Sequence, residues 1–251
     1  MGSDMAARNL LVIVPAYNEE ANVARVIQAI RREIPAADVV VIDDGSRDRT
    51  ARVAAQAGAR VITLPYNMGY GAALQTGYKY ARDNGYQLLA QIDADGQHDP
   101  AYIRDMLALI ERGEADVVIG SRFLVDNGYR APFARRMGMI LFRTIASWAI
   151  GQKISDATSG YQALNRRAFC YCADDVYPSD FADADVLIML HYAGLRLREV
   201  AVKMYPSANK RSRYMDMYSF LTVPYYIFKM SLAVFVSLLR GRGGAEKGVD
   251  G

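Results

Sequence analysis

Two aspartates separated by a single residue give this sequence its clearest chemical signal. Asp93 and Asp95 directly follow the apolar run 88–92, and a short apolar run bounded by turn residues is typical of a buried strand. The pair therefore falls where a strand leaves the sheet, which is where open α/β sheets bind ligands. Two hard oxygen donors on one turn, with Gln97 and His98 close behind, suit a divalent cation that keeps positions open for phosphate oxygens. A solvated acidic turn is the alternative, because aspartate is common in turns.

Alternating strands and helices must position this turn. Five short runs rich in Val, Ile and Leu end in turn residues, and four of them lead into a segment with helical spacing. This alternation is typical of an α/β protein with a mostly parallel sheet and helices on both faces. We predict strands at residues 10–14, 39–42, 61–64, 88–92 and 116–122, a first helix with the apolar face Val23, Ile27 and Ile30, and further helices at about 50–57, 72–84 and 100–111.

Polar side chains stand at the ends of four of the five predicted strands. In a parallel sheet these ends lie along one edge, so we expect their side chains to line a single cleft. The four pairs are Asn18 and Glu19, Asp43 and Asp44, Asp93 and Asp95, and Ser121 and Arg122.

The second half of the chain carries most of the basic clusters. Two acids, Asp183 and Asp185, lie on one predicted helix of this half. We predict a basic amphipathic segment at 130–150, a glycine-containing turn into a short strand at 156–165, a helix at 181–193, a strand at 197–202 and a basic loop at 203–213.

Composition narrows the class of protein. The chain has 251 residues, of which 52% are hydrophobic and 23% charged, as in an ordinary globular protein and unlike a disordered or polytopic membrane protein. The net charge of +3 is too small to argue for nucleic acid, and we expect no nucleic-acid partner. Cys170 and Cys172 match neither a redox motif nor a zinc framework, and the chain shows no signal peptide. We therefore expect a cytosolic catalytic domain with reduced thiols.

The C-terminal apolar segment requires a decision about the membrane. Residues 220–239 have the length of a spanning helix, but Lys229 lies near their middle and would cost about 2.5–3.5 kcal/mol there. We favour an amphipathic helix at the membrane surface, with a spanning helix and a homo-oligomer interface as the alternatives. The expected domains are a catalytic domain at 8–205, a basic loop with membrane-associated or oligomerising helices at 206–240, and a disordered tail at 241–251.

The motifs, taken in order, resemble those of the family 2 glycosyltransferases. They read VPAYNE at 14–19, DDGSRD at 43–48, DADGQH at 93–98, GSR at 120–122 and DATSG at 156–160. Within the family, the chain most resembles the dolichyl-phosphate mannose synthase branch over about residues 8–205. The resemblance implies a Rossmann-like GT-A fold and an inverting, Mg²⁺- or Mn²⁺-dependent transfer. The donor would be GDP-mannose or a UDP-hexose, and the acceptor a dolichyl or undecaprenyl phosphate at the cytoplasmic face of the membrane.

The same resemblance assigns roles to individual residues. The family usually has Glu where this chain has Asp185 on the late helix, and residues 209–213 (NKRSR) differ from its usual basic loop. The implied roles are the nucleotide site for Pro15, Tyr17, Glu19, Ile42, Asp44, Asp93 and Ala94, the metal for Asp93, Asp95 and Gln97, the acceptor phosphate for Arg122 and Arg135, and a catalytic position for Asp185.

The acceptor determines whether a base is needed. A lipid phosphate is already ionised at neutral pH, so arginines that position it matter more than a base. A sugar hydroxyl would need a carboxylate, and Asp156, Asp183 and Asp185 are the candidates. Arg135 and Arg136 remain alternatives for the acceptor side.

Two other functions compete with this interpretation. A sugar nucleotidyltransferase would have a similar sheet, but it should carry a glycine-rich phosphate loop after the first strand, where this chain reads PAYNE at 15–19. An inactive scaffold subunit would not need the intact pair Asp93 and Asp95. The short C-terminal apolar segment also suggests a small integral membrane partner that carries or flips the product.

Overall fold

One mixed sheet organises the part of the chain that the structure describes. The computed structural model describes residues 9–124, 133–174, 177–178 and 184–205, with only the backbone for 133–139. The strands are β1 Leu10–Ala16, β2 Asp38–Asp43, β3 Arg60–Thr63, β4 Leu88–Gln91, β5 Val117–Ser121, β6 Gln162–Asn165 and β7 Leu197–Ala201. The helices are α1 Val23–Glu33, α2 Thr50–Gln56, α3 Tyr70–Asp83, α4 Tyr102–Glu111, α5 Phe133–Ile150, α6 Arg166–Ala173 and α7 Ala184–Tyr192.

The strand order is β3-β2-β1-β4-β6-β5-β7. β6 runs antiparallel to its neighbours β4 and β5, and the other pairings are parallel. This topology confirms the predicted α/β class with a mostly parallel sheet. The sequence predicted the strand now called β6 but not its direction or its place between β4 and β5.

Both faces of the sheet are covered, which explains why the strands are apolar along their whole length. One core cluster packs side chains of α1, α2 and α4 against one face. The other joins α3, α5, α6 and α7 to the opposite face. In α1 the buried residues Val23, Val26, Ile27 and Ile30 follow helical spacing and confirm the predicted apolar face.

Helix α6 was absent from the sequence prediction. Its N-cap is Asn165, whose side chain accepts a hydrogen bond of 2.9 Å from the Ala168 amide. Phe169 and Cys172 are buried one turn apart, so the helical pattern was present but short. Because α6 begins directly after β6, no loop separates the strand from the helix.

The antiparallel direction of β6 matters for function. The carboxyl ends of β1, β2, β4 and β5 share one edge of the sheet with the amino end of β6. The segment 156–161 therefore reaches the same edge as the Asp93 turn. We call this side of the molecule the carboxyl edge.

The predictions for the C-terminal segment cannot be compared with the structure, because residues 206–251 lie outside the described part of the chain. Within the described residues, no helix has both the length and the apolar character required to cross a bilayer.

Candidate active site

The turn after β4 places two carboxylates on the carboxyl edge. Asp93 Oδ1 accepts a hydrogen bond of 2.9 Å from the Tyr70 hydroxyl. Asp93 Oδ2 lies 3.5 Å from His98 Nε2, and 30% of the Asp93 side chain is exposed. Asp95 Oδ1 accepts a bond of 2.9 Å from the Gln97 amide, while its Oδ2 has no hydrogen-bonding partner among the described residues.

The two carboxylates differ in charge environment. Burial raises the pKa of Asp93, but His98, the Tyr70 hydroxyl and the charge of Arg122 outweigh it and hold that pKa below its usual value. Burial raises the pKa of Asp95, and the nearby charges of Asp93 and Glu19 raise it further. Glu19 of the β1 loop is therefore electrostatically coupled to the turn, and a bound cation would relieve the repulsion among these acids.

His98 is buried beneath the turn of Asp93 and Asp95 and packs against the rest of the protein. Its side chain is 3% exposed, its ring packs 4.9 Å from that of Tyr161, and its Nδ1 is buried without a hydrogen-bonding partner in the described structure. The backbone of His98 forms an isolated bridge with Met204, and the Tyr205 amide donates to the Gln97 carbonyl at 2.7 Å. The segment after β7 thus braces the carboxylate turn.

The predicted nucleotide side lies beside this turn at the ends of β1 and β2. The Tyr17 side chain is exposed, as a base-stacking residue would be. Asp44 is buried and accepts bonds of 2.7 and 3.0 Å from the amides of Met68 and Gly69. In this structure the Asp44 carboxylate therefore orders the loop before α3, a role that the sequence did not suggest.

Arg122 and Asp156 form a buried ion pair at the carboxyl edge. Arg122 Nε and Nη2 donate to the two oxygens of Asp156 at 2.6 Å each, and the side chains are 4% and 0% exposed. The Arg122 amide also donates to Asp156 at 3.1 Å. Glu199 of β7 accepts from the amides of Ser155 and Asp156 and from the Ser155 hydroxyl, at 2.9–3.0 Å. Arg122, which the family resemblance assigns to the acceptor phosphate, therefore lies in a buried, bidentate ion pair with Asp156.

The donor set at the turn fits a hard divalent cation. Among the described residues, no group of three or more His, Cys, Asp or Glu side chains is arranged to hold a metal. Mg²⁺, however, is commonly held by one or two carboxylates together with substrate phosphates and water. Asp93 and Asp95, with an uncommitted oxygen on Asp95, match that pattern. The Gln97 side chain remains a predicted ligand, since the structure records hydrogen bonds only from its backbone.

The remaining predicted site residues fall into two groups. Pro15, Ile42 and Ala94 are buried near the same edge, and the side chains of Ile42 and Ala94 belong to the core, so contact with a nucleotide would have to come from their backbone. Asp185 is buried on α7, with 2% exposure. The side chains of Arg135 and Arg136, and the whole of Asp183, lie outside the described residues.

Sequence reasoning overlooked Tyr70 and Glu199. Tyr70 stands in the segment NMGYG, which was assigned only to the start of a helix, and Glu199 lies within a predicted strand. A tyrosine or glutamate on such an element carries no local signal, because its partner is more than 20 residues away in the chain.

Comparison with known proteins decides the family. Residues 11–171, more than half of the chain, match Glycosyl transferase family 2. The chain belongs to glycosyl transferase family 2. It is therefore a glycosyltransferase, and the alternatives of a sugar nucleotidyltransferase and a non-enzymatic scaffold lose their support.

Two relatives of this glycosyltransferase have names that refer to a polyprenyl monophosphate. Polyprenol monophosphomannose synthase from Mycolicibacterium smegmatis is 32% identical, covering 62% of this chain and 61% of the relative. Undecaprenyl-phosphate mannosyltransferase from Micrococcus luteus is 31% identical, covering 61% of this chain and 65% of the relative. The chain thus spans less than two thirds of the length of either.

A solved structure supports the fold. Glucosyl-3-phosphoglycerate synthase from Mycobacterium tuberculosis, in complex with Mn²⁺ and UDP-glucose, superposes with a TM-score of 0.64 at 20% identity, covering 93% of this chain and 79% of that chain. At this identity the likeness shows the fold alone, and it confirms the expected GT-A architecture.

Proposed function

We propose that this glycosyltransferase moves a hexose from a nucleotide sugar to a polyprenyl phosphate at a membrane surface, with inversion and with Mg²⁺ or Mn²⁺. The observation that carries the proposal is the turn of Asp93 and Asp95. Both acids face the carboxyl edge, Asp95 is electrostatically coupled to Glu19, and one Asp95 oxygen has no hydrogen-bonding partner among the described residues.

The leaving group explains why this turn is needed. A nucleoside diphosphate gains negative charge as the bond to the sugar breaks, and a metal bound at the turn would supply Lewis-acid stabilisation of that charge. Asp93 and Asp95 would hold the cation, Tyr17 would stack on the base, and Glu19 would add negative charge on the metal side.

A phosphate acceptor agrees with the state of Asp156. A hydroxyl acceptor would require a carboxylate free to take a proton. Both oxygens of Asp156 instead accept hydrogen bonds from buried Arg122, so Asp156 is poorly placed to act as that base. An ionised lipid phosphate needs no base, and the names of the two relatives point to the same acceptor class.

A donor and acceptor screen tests the proposal. The purified full-length protein is incubated in phosphatidylglycerol vesicles with GDP-mannose, UDP-glucose or UDP-N-acetylglucosamine. Undecaprenyl phosphate, dolichyl phosphate or a free disaccharide serves as acceptor, with Mn²⁺ or with EDTA. We expect transfer to a lipid phosphate that EDTA abolishes. Transfer to the disaccharide alone would reject the proposed acceptor, and full activity in EDTA would reject the metal site.

A vesicle sedimentation assay tests the proposed membrane contact. We expect the full-length chain to sediment with anionic vesicles and to be released by high salt, because basic segments bind anionic headgroups electrostatically. Equal recovery with neutral vesicles would argue against this electrostatic contact. A small integral membrane partner and a homo-oligomer remain further proposals, tested by pull-down from native membranes and by mass measurement in detergent.

A further inference from the structure

We propose that Tyr70 is the positioning residue that holds Asp93 in its metal-binding orientation, and that Gly160 is glycine because it leaves room for the Tyr70 hydroxyl. This inference rests on the proposed metal site at Asp93 and Asp95. Tyr70 is expected to contact neither the sugar nor the metal, and to act through Asp93.

The first support is the geometry at Asp93. The Tyr70 hydroxyl donates to Asp93 Oδ1 at 2.9 Å, while His98 Nε2 approaches Oδ2 on the other side. The carboxylate is thus contacted at both oxygens, which restricts its rotation. Each carboxylate oxygen has about two lone-pair sites, so Asp93 keeps acceptor capacity for a cation.

The second support is the loop that delivers Tyr70. Gly69, the residue before Tyr70, has a φ of 104°, which favours glycine. The amides of Met68 and Gly69 both donate to the buried Asp44 carboxylate. Asp44 at the end of β2 therefore orders the turn that places Tyr70, and Tyr70 contacts Asp93 after β4. The acids at two strand ends are joined through the first residue of α3.

The third support comes from the opposite side of the hydroxyl. A Cβ added to Gly160 would overlap the Tyr70 hydroxyl oxygen and would lie 3.4 Å from each oxygen of Asp93. The Gly160 carbonyl accepts a bond of 3.0 Å from Gln91 Nε2, and Gln91 Oε1 in turn accepts a bond from the buried Tyr78 hydroxyl. Gly160 is thus anchored against the sheet and cannot easily retreat from a larger neighbour.

The expected consequence follows from the chemistry of metal sites. Groups that orient a metal ligand without touching the metal commonly change metal affinity by about 10- to 100-fold when they are removed. Phenylalanine keeps the ring of Tyr70 in the apolar cluster beside it and deletes only the hydroxyl. Tyr70→Phe should therefore weaken metal binding without comparable loss of fold.

A metal titration with a matched control tests this role. Mn²⁺ binding is measured by electron paramagnetic resonance in the presence of UDP or GDP, for the full-length wild type, Tyr70→Phe and Tyr86→Phe. Tyr86 also donates to an aspartate, Asp38, at 2.6 Å, but at the opposite edge of the sheet. We expect the Mn²⁺ dissociation constant to rise about tenfold or more for Tyr70→Phe and to stay unchanged for Tyr86→Phe.

Gly160→Ala extends the test to a double-mutant cycle. The added methyl group should displace the Tyr70 hydroxyl and weaken Mn²⁺ binding. In Tyr70→Phe/Gly160→Ala the clashing hydroxyl is gone, so the second substitution should add little to the first. Additive losses in the double variant would show that Gly160 acts independently of Tyr70.

The outcomes separate this inference from the proposed function. If the wild type binds Mn²⁺ with a nucleotide and Tyr70→Phe binds it equally well, the inference is wrong and the metal site stands. If the wild type binds no Mn²⁺ with either nucleotide, the proposed metal site is wrong, and the inference about Tyr70 is overturned with it. A rise in the Mn²⁺ dissociation constant for Tyr70→Phe, with thermal unfolding no lower than that of Tyr86→Phe, supports positioning.

Discussion

The carboxylates of Asp95 and Asp156 lie on the same edge of the sheet but are used in opposite ways. Asp95 receives one hydrogen bond from a neighbouring amide, and its second oxygen has no partner among the described residues. Asp156 is fully buried and accepts two bonds of 2.6 Å from the Arg122 guanidinium. Burial and like charges raise the pKa of Asp95, whereas a buried cation faces Asp156. Under the proposed function Asp95 would face an external cation, whereas Asp156 already has an internal one in Arg122.

Asp116 is a third carboxylate, and like Asp156 it is paired with an arginine. Arg122 and Asp156 meet after β5, and Asp116 lies just before the same strand, where it accepts bonds of 3.0 and 3.2 Å from the Arg196 guanidinium. Arg196, however, is 56% exposed. The two ion pairs at the ends of β5 therefore differ mainly in solvent access, and they provide a graded comparison for the effect of removing a carboxylate charge.

The largest expected effect is on stability at the buried pair. Asp156→Asn leaves the Arg122 charge buried without its carboxylate, and removal of one partner of such a pair costs about 3–5 kcal/mol. For a chain of this size we expect the midpoint of thermal unfolding to fall by roughly 6–20 °C. Differential scanning calorimetry measures the change. A fall of less than about 2 °C would mean that the pair contributes little.

The next effect is on catalysis at the open turn. Asp95→Asn removes a predicted metal ligand, and we expect the rate of sugar transfer to fall about 100- to 1000-fold, as for other losses of transition-state charge stabilisation. Thermal stability should not fall, because the substitution also removes repulsion between Asp95 and Asp93. Asp105→Asn, at an exposed acid of α4, is the control. Wild-type transfer rates in the Asp95 variant would contradict the assignment.

The smallest effect is expected at the pair of Asp116 and Arg196, in which only Arg196 is exposed. Asp116→Asn should lower the free energy of unfolding by about 1–3 kcal/mol, because Arg196 remains solvated after its partner is lost. Chemical denaturation at pH 7 measures this value. A loss as large as that of Asp156→Asn would mean that burial does not distinguish the two pairs.

The pH dependence of stability at the pair of Asp116 and Arg196 provides a second test of the same comparison. Burial alone would raise the pKa of Asp116, but hydrogen bonds from Arg196 and Asn165 lower it from 3.8 to about 2. The contribution of a depressed carboxyl pKa is complete above the unfolded value and is lost as the pH falls towards the folded one. The stability difference between wild type and Asp116→Asn should therefore be constant above about pH 5 and shrink between about pH 4 and pH 2. A difference that grows on acidification would contradict this pKa shift.

Local sequence patterns predicted most of the strands and helices and the positions of the acids at the strand ends. They did not predict the hydrogen-bonding partners of those acids. The sequence predicted the apolar strands, the buried face of α1 and the acids at the strand ends, because each of these patterns depends on residues close in sequence. The antiparallel insertion of β6 could not be predicted from the sequence, because strand order depends on contacts between distant segments. Helix α6 was missed because its eight residues, behind Asn165, provide too few turns for a clear period.

The roles of single charged residues were harder to predict than their positions. Asp156 was a candidate base in the sequence, and only the structure places both its oxygens on Arg122. Asp44 was expected at the nucleotide, and the structure adds its bonds to the amides of Met68 and Gly69. In both cases the partner that defines the role lies more than 20 residues away in the chain.

Mn²⁺ binding in Asp95→Asn and Asp156→Asn, measured side by side with UDP or GDP present, tests the contrast most directly. Binding is expressed per folded molecule at a temperature where both variants are folded. The account predicts that Asp95→Asn loses Mn²⁺ binding and keeps its unfolding temperature, whereas Asp156→Asn binds Mn²⁺ and unfolds at a lower temperature. Undiminished Mn²⁺ binding by Asp95→Asn would contradict it.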